Sequence, residues 1–138
     1  MEIRKILLVD DDPEDREILS DALEASNAKD IISFAENGEE ALALLDKCAK
    51  LGRIPNVIVL DLNMPKMGGT QTLTHLKKDP RFKHIPVVIY STSINPLEKE
   101  ECMLIGAHSY ITKPVSFKAS LDVAQYLIRL FKSSASFA

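Results

Sequence analysis

Short apolar runs alternate with amphipathic stretches along the whole chain, and this alternation constrains the fold more than any other feature of the sequence. Residues 57–60 and 87–89 are apolar at every position, as expected for central strands that are covered on both faces. We predict five strands, at about residues 4–10, 30–35, 56–61, 85–91 and 107–112. Strands that alternate with helices in this way are typical of βαβ units and a parallel sheet.

The helices predicted between these strands carry their own start signals. Asp12 and Pro13 are residue types that suit the N-cap and first position of a helix, and the inward stripe of that helix is predicted to be Ile18, Leu19, Ala22 and Leu23. Four further helices are predicted to begin near residues 37, 70, 95 and 116, the last of them ending near residue 131. We interpret residues 47–55 as the end of the second helix and a surface loop.

Size and composition favour one globular domain over residues 1–138, with its core at about 4–131 and a frayed tail at 132–138. A net charge of −3 offers no electrostatic reason to expect nucleic acid or an anionic membrane as a partner. No apolar run has the length of a membrane-spanning helix. Cys48 and Cys102 lie far apart and outside any metal-binding pattern, so we expect two reduced thiols in a cytoplasmic protein.

Aspartates follow two of the predicted strands at the point where each strand ends. Asp10, Asp11 and Asp12 come after the first strand, and Asp61 comes after the third. Because the carboxyl ends of parallel strands share one edge of a sheet, these carboxylates should lie close together. Such a cluster of like charges is costly unless a cation neutralises it, and carboxylate oxygens suit Mg²⁺. The sequence therefore predicts a magnesium site at which an aspartate could carry a phosphoryl group.

Four motifs at this predicted edge, taken together, resemble the receiver domain of two-component response regulators. They are Val9-Asp10-Asp11, Asp61-Leu62-Asn63-Met64-Pro65 with Gly69, Ser91-Thr92, and Tyr110-Ile111-Thr112-Lys113-Pro114. The longer loop before the third strand, together with Ser91-Thr92-Ser93 and Lys113-Pro114-Val115, resembles the single-domain regulators that accompany bacterial phytochromes. The resemblance implies a doubly wound α/β fold of five parallel strands in the order 2-1-3-4-5, with five helices.

The resemblance also implies a role for each acidic residue. Asp61 would be the nucleophile that accepts a phosphoryl group from a phosphohistidine, and magnesium would neutralise the charge of the transfer. Asp11, Asp61 and the backbone carbonyl of Asn63 are expected to bind Mg²⁺ directly, and Asp10 through a water molecule. The remaining acid, Asp12, is expected to cap the first helix instead.

Three further residues are given roles by the same resemblance. Lys113 would contact a phosphoryl oxygen, aimed inward by a cis peptide bond to Pro114. Ser91 would donate its hydroxyl to the attached phosphoryl group, and Tyr110 would turn inward as the switching aromatic residue. A solvated lysine at the strand end and a half-buried edge tyrosine are the ordinary structural alternatives.

Two residues beside the predicted site depart from the family pattern. Gly68 stands before Gly69 where the family usually has Asp-Gly, which predicts a looser turn. Thr92 replaces the usual alanine after Ser91, and its β-branched side chain should crowd the phosphoryl group. We therefore expect small phosphodonors to react slowly.

The leading hypothesis is a stand-alone response regulator that is not an enzyme and is switched by a sensor histidine kinase or a histidine phosphotransfer protein. Its last helix is apolar beyond one stripe, which predicts a homodimer or effector face on the fourth helix, fifth strand and fifth helix, unless that helix is simply deeply buried. A dehalogenase-type phosphohydrolase would need a second carboxylate where Asn63 stands, and a cap domain. A receiver-fold interaction module that works without phosphorylation is the remaining alternative.

Overall fold

The computed structural model describes residues 6–135, which form a parallel five-stranded sheet with helices on both faces. The strands are β1 (Ile6–Val9), β2 (Ile32–Ala35), β3 (Val57–Leu60), β4 (Val87–Ser91) and β5 (Ser109–Thr112). Their order in the sheet is β2-β1-β3-β4-β5, and every neighbouring pair is parallel. The predicted doubly wound architecture is therefore confirmed.

Five α-helices connect or follow the strands. They are α1 (Pro13–Ala25), α2 (Gly38–Leu51), α3 (Gly69–Lys78), α4 (Pro96–Ile105) and α5 (Phe117–Ala135), and a short 3₁₀ helix (Lys29–Ile31) precedes β2. No helix within residues 6–135 is both long enough and apolar enough to cross a membrane.

The sheet has a hydrophobic core on each face. The central strands β1, β3 and β4 lie between the two cores and are buried at every position. Alternate strand residues point to opposite faces, so Leu7 and Ile58 pack under α2, α3 and α4, while Ile6 and Val57 pack under α1 and α5. A strand that lies between two helical layers must be apolar throughout. This requirement explains the unbroken apolar runs.

Side-chain caps start four of the helices, and at α5 the Ser116 Oγ accepts a 3.1 Å hydrogen bond from the Ala119 N–H. Asp12 Oδ1 accepts a 2.9 Å hydrogen bond from the Glu14 N–H at the start of α1. Asn37 and Asn95 cap α2 and α4 in the same way. Gly52 ends α2 in the left-handed region at φ 69°, which glycine adopts without strain. The expected capping role of Asp12 is thus confirmed, and its carboxylate is engaged away from the acidic cluster.

The elements differ from their predicted bounds in a few places. β5 begins at Ser109 rather than 107, because Ala107 and His108 form the turn after α4. Ile18 is 40% exposed and does not belong to the inward stripe of α1, which consists of Leu19, Ala22 and Leu23. α5 continues through residue 135, beyond the predicted end near 131. Residues 4 and 5 of the predicted first strand and 136–138 of the predicted tail lie outside the described residues.

The broad apolar surface of α5 is largely used inside the chain. Ala124 and Leu127 are fully buried against the sheet and α1. Other apolar residues of the helix, from the stripe and from its borders, are partly buried in the same cluster: Leu121, Tyr126, Ile128, Leu130 and Phe131. The apolar width of α5 therefore follows mainly from packing within the chain, as the buried-helix alternative predicts.

Candidate functional site

The acidic residues after β1 and β3 meet at the carboxyl edge of the sheet. The register pairs Val9 with Leu60, so that Asp10 and Asp61 leave the two strands side by side. The Asp61 N–H donates to the Val9 carbonyl at 2.9 Å, and this bond extends the ladder by one residue. Asp10 is completely buried and Asp61 is 4% exposed. Both carboxylates thus lie in a site with little access to water.

Asp11 completes the acidic cluster from the exposed side. One carboxylate oxygen each from Asp10, Asp11 and Asp61 lies within 4.8 Å of the other two. Arg16 Nη1 donates a 2.7 Å hydrogen bond to the Asp10 carbonyl oxygen, which fixes the backbone that carries the first two acids. The structure therefore brings together the three side chains that were predicted to bind a metal ion.

Lys113 is the cation of the site. Its Nζ lies 3.0 Å from Asp10 Oδ2 and 3.4 Å from Asp61 Oδ2. Just past the end of β5, the backbone N–H of Lys113 donates a 2.8 Å hydrogen bond to the Ser91 carbonyl oxygen. The side chain of Lys113 is 8% exposed. The predicted cis peptide is wrong, because every peptide bond in residues 6–135 is trans, including the bond between Lys113 and Pro114. The ammonium group reaches the acids from a trans backbone.

The ionisation of the two buried acids reflects both burial and their neighbours. Burial raises the pKa of Asp61 to about 6, although Lys113 opposes the shift, and the adjacent Asp10 raises the pKa further. Burial also raises the pKa of Asp10, against the Asp12 N–H and Lys113, which both lower it. One ammonium group therefore does not fully compensate two buried carboxylates.

The donor set fits a hard divalent cation. Asp10 Oδ2 is buried and makes no hydrogen bond, since its contact with Lys113 is an ion pair outside hydrogen-bond geometry. Asn63 N–H lies 3.3 Å from Asp61 Oδ1, which places the Asn63 backbone beside the cluster. A cation held by these oxygens would supply the positive charge that the cluster lacks. The individual metal ligands remain a prediction.

Ser91 ends β4 at the same sheet edge as the acids, Thr92 follows it, and Tyr110 lies within β5. Ser91 is fully buried, and its Oγ accepts a 3.1 Å hydrogen bond from the Ser93 N–H. Thr92 is exposed. Tyr110 is partly buried against the core on the α4 side, and its hydroxyl donates a 3.1 Å hydrogen bond to the Ser93 carbonyl oxygen. Tyr110 thus already packs inward in this structure.

The turn after Asp61 brings the start of α3 against the backbone of the site. A Cβ at Gly69 would lie 2.3 Å from the Asp61 carbonyl oxygen and 2.6 Å from the Leu62 Cα, so this position requires glycine. Gly68 has φ −70°, and a Cβ there would meet only the Leu62 carbonyl oxygen, at 3.7 Å. Of the two glycines, Gly69 is therefore the one that the site requires.

Asp15 is a site residue that the sequence reasoning missed, and Ser93 was singled out only as part of the segment after the fourth strand, without a role of its own. Asp15 Oδ2 accepts a 2.7 Å hydrogen bond from Lys113 Nζ. Ser93 contacts Ser91 and Tyr110, and its hydroxyl donates to the Glu98 carboxylate on α4. Asp15 could have been found from its place in the first turn of α1, which begins at the same sheet edge as the acids. Ser93 follows β4 at the same edge, but the sequence does not show that it contacts Ser91, Tyr110 and Glu98, which are 2 to 17 residues away.

Comparisons with known proteins agree with this fold. The family model of the response regulator receiver domain matches residues 6–125. The response regulator Rcp1 of Synechocystis is 31% identical over 122 residues, which cover 87% of this chain and 83% of Rcp1. The solved structure of the phosphorylated cyanobacterial phytochrome response regulator RcpA superposes with a TM-score of 0.84 at 31% identity, covering 96% of both chains. The Mn²⁺-bound form of Rcp1 gives a TM-score of 0.77 at 31% identity, over 88% of this chain and 89% of that one.

The chain therefore belongs to the response regulator receiver domain family. Receiver domains are signalling domains of two-component systems, and they bind Mg²⁺ or Mn²⁺ in an acidic pocket. They interact with histidine kinases or phosphotransfer proteins.

Proposed function

We propose that this receiver accepts a phosphoryl group on Asp61 from a phosphohistidine and thereby switches a protein-interaction surface. The observation that carries the proposal is the arrangement of Asp61, a buried carboxylate at a strand end, beside Asp10 and the ammonium group of Lys113. A carboxylate in this setting is a positioned nucleophile, and phosphoryl transfer depends mainly on positioning and on charge neutralisation.

In the proposed transfer, an oxygen of the Asp61 carboxylate forms a bond to phosphorus while the bond between phosphorus and the donor imidazole nitrogen breaks. The electron pair leaves with the imidazole, which takes up a proton from solvent. Lys113 pairs with a phosphoryl oxygen, and Ser91 donates its hydroxyl to another. Mg²⁺ held by Asp10, Asp11 and Asp61, with the Asn63 carbonyl, supplies the remaining positive charge when it is bound.

A surface for the phosphodonor protein lies beside the site. Ile18 on α1 and the segment after β5 border a shallow cavity of about 340 Å³ that includes Pro114, Val115 and Phe117. Val115 is fully exposed and Phe117 is 57% exposed. Exposed apolar side chains grouped around a reactive edge favour docking of a partner over a free small substrate. A sensor histidine kinase or a histidine phosphotransfer protein must dock in this way, because its phosphohistidine has to reach Asp61.

The switch follows from the contacts of Ser93. An attached phosphoryl group would draw the Ser91 hydroxyl toward it, and the Ser91 Oγ is the acceptor for the Ser93 N–H. The Ser93 carbonyl in turn accepts from Tyr110, and the Ser93 hydroxyl donates to Glu98 on α4. The exposed apolar residues of α4, Leu97 and Leu104, would then move relative to β5 and α5. A homodimer or an effector bound at this face would sense that movement.

The test is the intact mass of the protein after incubation with Mg²⁺ and a small phosphoramidate donor. The proposal predicts one phosphoryl adduct on the wild type and none on Asp61→Asn. Rapid turnover of the donor without an adduct would indicate a phosphohydrolase. If a phosphohistidine-bearing donor protein also leaves no adduct, the chain is a receiver-fold module that works without phosphorylation, and the proposal fails.

A further inference from the structure

Lys113 is shared among three carboxylates, and the closest of them does not belong to the metal cluster. The distance from its Nζ is 2.7 Å to Asp15, 3.0 Å to Asp10 and 3.4 Å to Asp61. Asp15 lies on the first turn of α1, and its side chain is 24% exposed, whereas that of Asp10 is completely buried. Of the three contacts, the one with Asp15 is the shortest, and it is a hydrogen bond.

Asp15 also contributes to the charge state of the lysine. Burial alone would lower the pKa of Lys113, but the hydrogen bond with Asp15 and the ion pairs with Asp10 and Asp61 together outweigh burial, and the pKa is raised. A lysine held in this way stays charged, but it is already paired. A phosphoryl oxygen that arrives at Asp61 must therefore compete with Asp15 for the same ammonium group.

We propose that Asp15 is a positioning residue that holds the Lys113 ammonium on the α1 side of the site, in competition with the incoming phosphoryl group. The inference rests on the proposed function, since it concerns the phosphorylation of Asp61. Loss of the Asp15 carboxylate leaves Lys113 paired with Asp10 and Asp61, without a carboxylate that holds its ammonium group on the α1 side. The phosphoryl group of a donor then competes with two carboxylates for the Lys113 ammonium group instead of three.

We predict a change in the apparent affinity for the donor rather than in the rate of the chemical step. With saturating Mg²⁺ and a phosphoramidate donor, Asp15→Asn should lower KM about two- to fivefold, the range for one partly exposed ion pair, and leave kcat within about twofold. The affinity for beryllium trifluoride, which mimics a phosphoryl group on a carboxylate, should rise by a similar factor in calorimetry. Asp15→Glu, which keeps the charge, should remain near the wild type.

Asp12→Asn is the matched control, because it removes the same charge from the same turn of the chain. Asp12 caps α1 through Oδ1, and asparagine caps a helix equally well, so this variant tests the general effect of charge on an anionic donor. Asp15→Ala serves as a second variant should the asparagine pair with Lys113 by itself. Thermal unfolding checks that each variant is folded.

The outcomes separate the two claims. A lower KM and tighter beryllium trifluoride binding in Asp15→Asn and Asp15→Ala, but not in Asp12→Asn, support the positioning role. An unchanged or higher KM overturns it, and so does an equal decrease in Asp12→Asn, which would show a general charge effect. A parallel loss of kcat and stability would show a merely structural role. If the wild type forms no adduct with any donor, the proposed function itself fails.

Discussion

The Tyr110 hydroxyl donates a 3.1 Å hydrogen bond to the carbonyl oxygen of Ser93. Through this bond the aromatic residue on β5 is linked to the loop after β4, whose Ser93 N–H is bonded to the Ser91 hydroxyl. Ser91, which would sense a phosphoryl group, and Tyr110, which would report it, are therefore connected through one residue, Ser93.

Tyr110→Phe removes this hydrogen bond and keeps the ring. We expect the free energy of unfolding to fall by about 0.5–1.5 kcal/mol, since the Ser93 carbonyl loses a partner. Urea unfolding measures that cost. Amide hydrogen exchange should accelerate in residues 92–95 and remain unchanged in β1. Equal protection of the loop in both proteins would show that the bond does not restrain it.

Stability without metal should depend on pH through Asp61. Its pKa is raised to about 6 in the folded state, so between about pH 4 and pH 6 the folded protein holds a proton that the unfolded chain has lost. The free energy of unfolding therefore falls as pH rises through this window, by on the order of 1–3 kcal/mol. Thermal unfolding in a chelator at pH 5 and pH 7.5 tests the sign. Greater stability at pH 7.5 would contradict it.

Added Mg²⁺ should reverse this trend. Metal binding requires ionised carboxylates, and a ligand that binds only the folded state stabilises it by mass action. The increase in Tm with about 10 mM Mg²⁺ should thus be larger at pH 7.5 than at pH 5. An equal increase at both values would show that the ion binds elsewhere.

Asp61→Asn should stabilise the metal-free protein at pH 7.5. The substitution removes one of two buried carboxylates, while Lys113 keeps its contacts with Asp10 and Asp15. We expect a gain of roughly 1 kcal/mol, or about 2–5 °C in Tm. The same variant should lose most of the Tm increase caused by Mg²⁺. A lower Tm without metal would mean that the Lys113–Asp61 pair outweighs the repulsion between the acids.

The two glycines after Asp61 provide a matched pair of substitutions. Gly69→Ala places a Cβ 2.3 Å from the Asp61 carbonyl oxygen, so the backbone must shift at a cost of about 2–4 kcal/mol. Gly68→Ala meets only a contact at 3.7 Å and should change stability by about 0.5 kcal/mol or less. Chemical unfolding of both variants checks the contrast. Similar costs at the two positions would contradict the steric account.

Thr92→Ala tests the predicted crowding of the phosphoryl site. Thr92 follows Ser91 and is exposed, so its removal should leave stability within about 0.5 kcal/mol. The rate of phosphorylation by a small phosphoramidate should rise several-fold, because a methyl and a hydroxyl group no longer border the entrance. Unchanged rates of phosphorylation and of hydrolysis would eliminate the crowding hypothesis.

Much of the fold and of the acidic site could be predicted from the sequence, because both depend on short-range patterns. The apolar runs locate β1, β3 and β4. An acid that directly follows one of these runs is thereby placed at the carboxyl edge of the sheet. The pair between Lys113 and Asp15 spans 98 residues, and sequence patterns do not show which of several nearby carboxylates a lysine will choose. Ile18 was assigned wrongly to the inward stripe, because helical periodicity places it at the border of the buried face of α1, where packing of the neighbouring segment decides exposure.

The central claim is that Asp61 is the phosphoacceptor, and chemical localisation of the phosphoryl group tests it most directly. Borohydride reduces an aspartyl phosphate to homoserine, so peptide mass mapping after phosphorylation and reduction identifies the modified residue. The account predicts homoserine at position 61, dependent on Mg²⁺ and on the phosphodonor. Modification at Asp10, Asp11 or Asp15 instead, or none after treatment with a phosphohistidine-bearing donor protein, would contradict it.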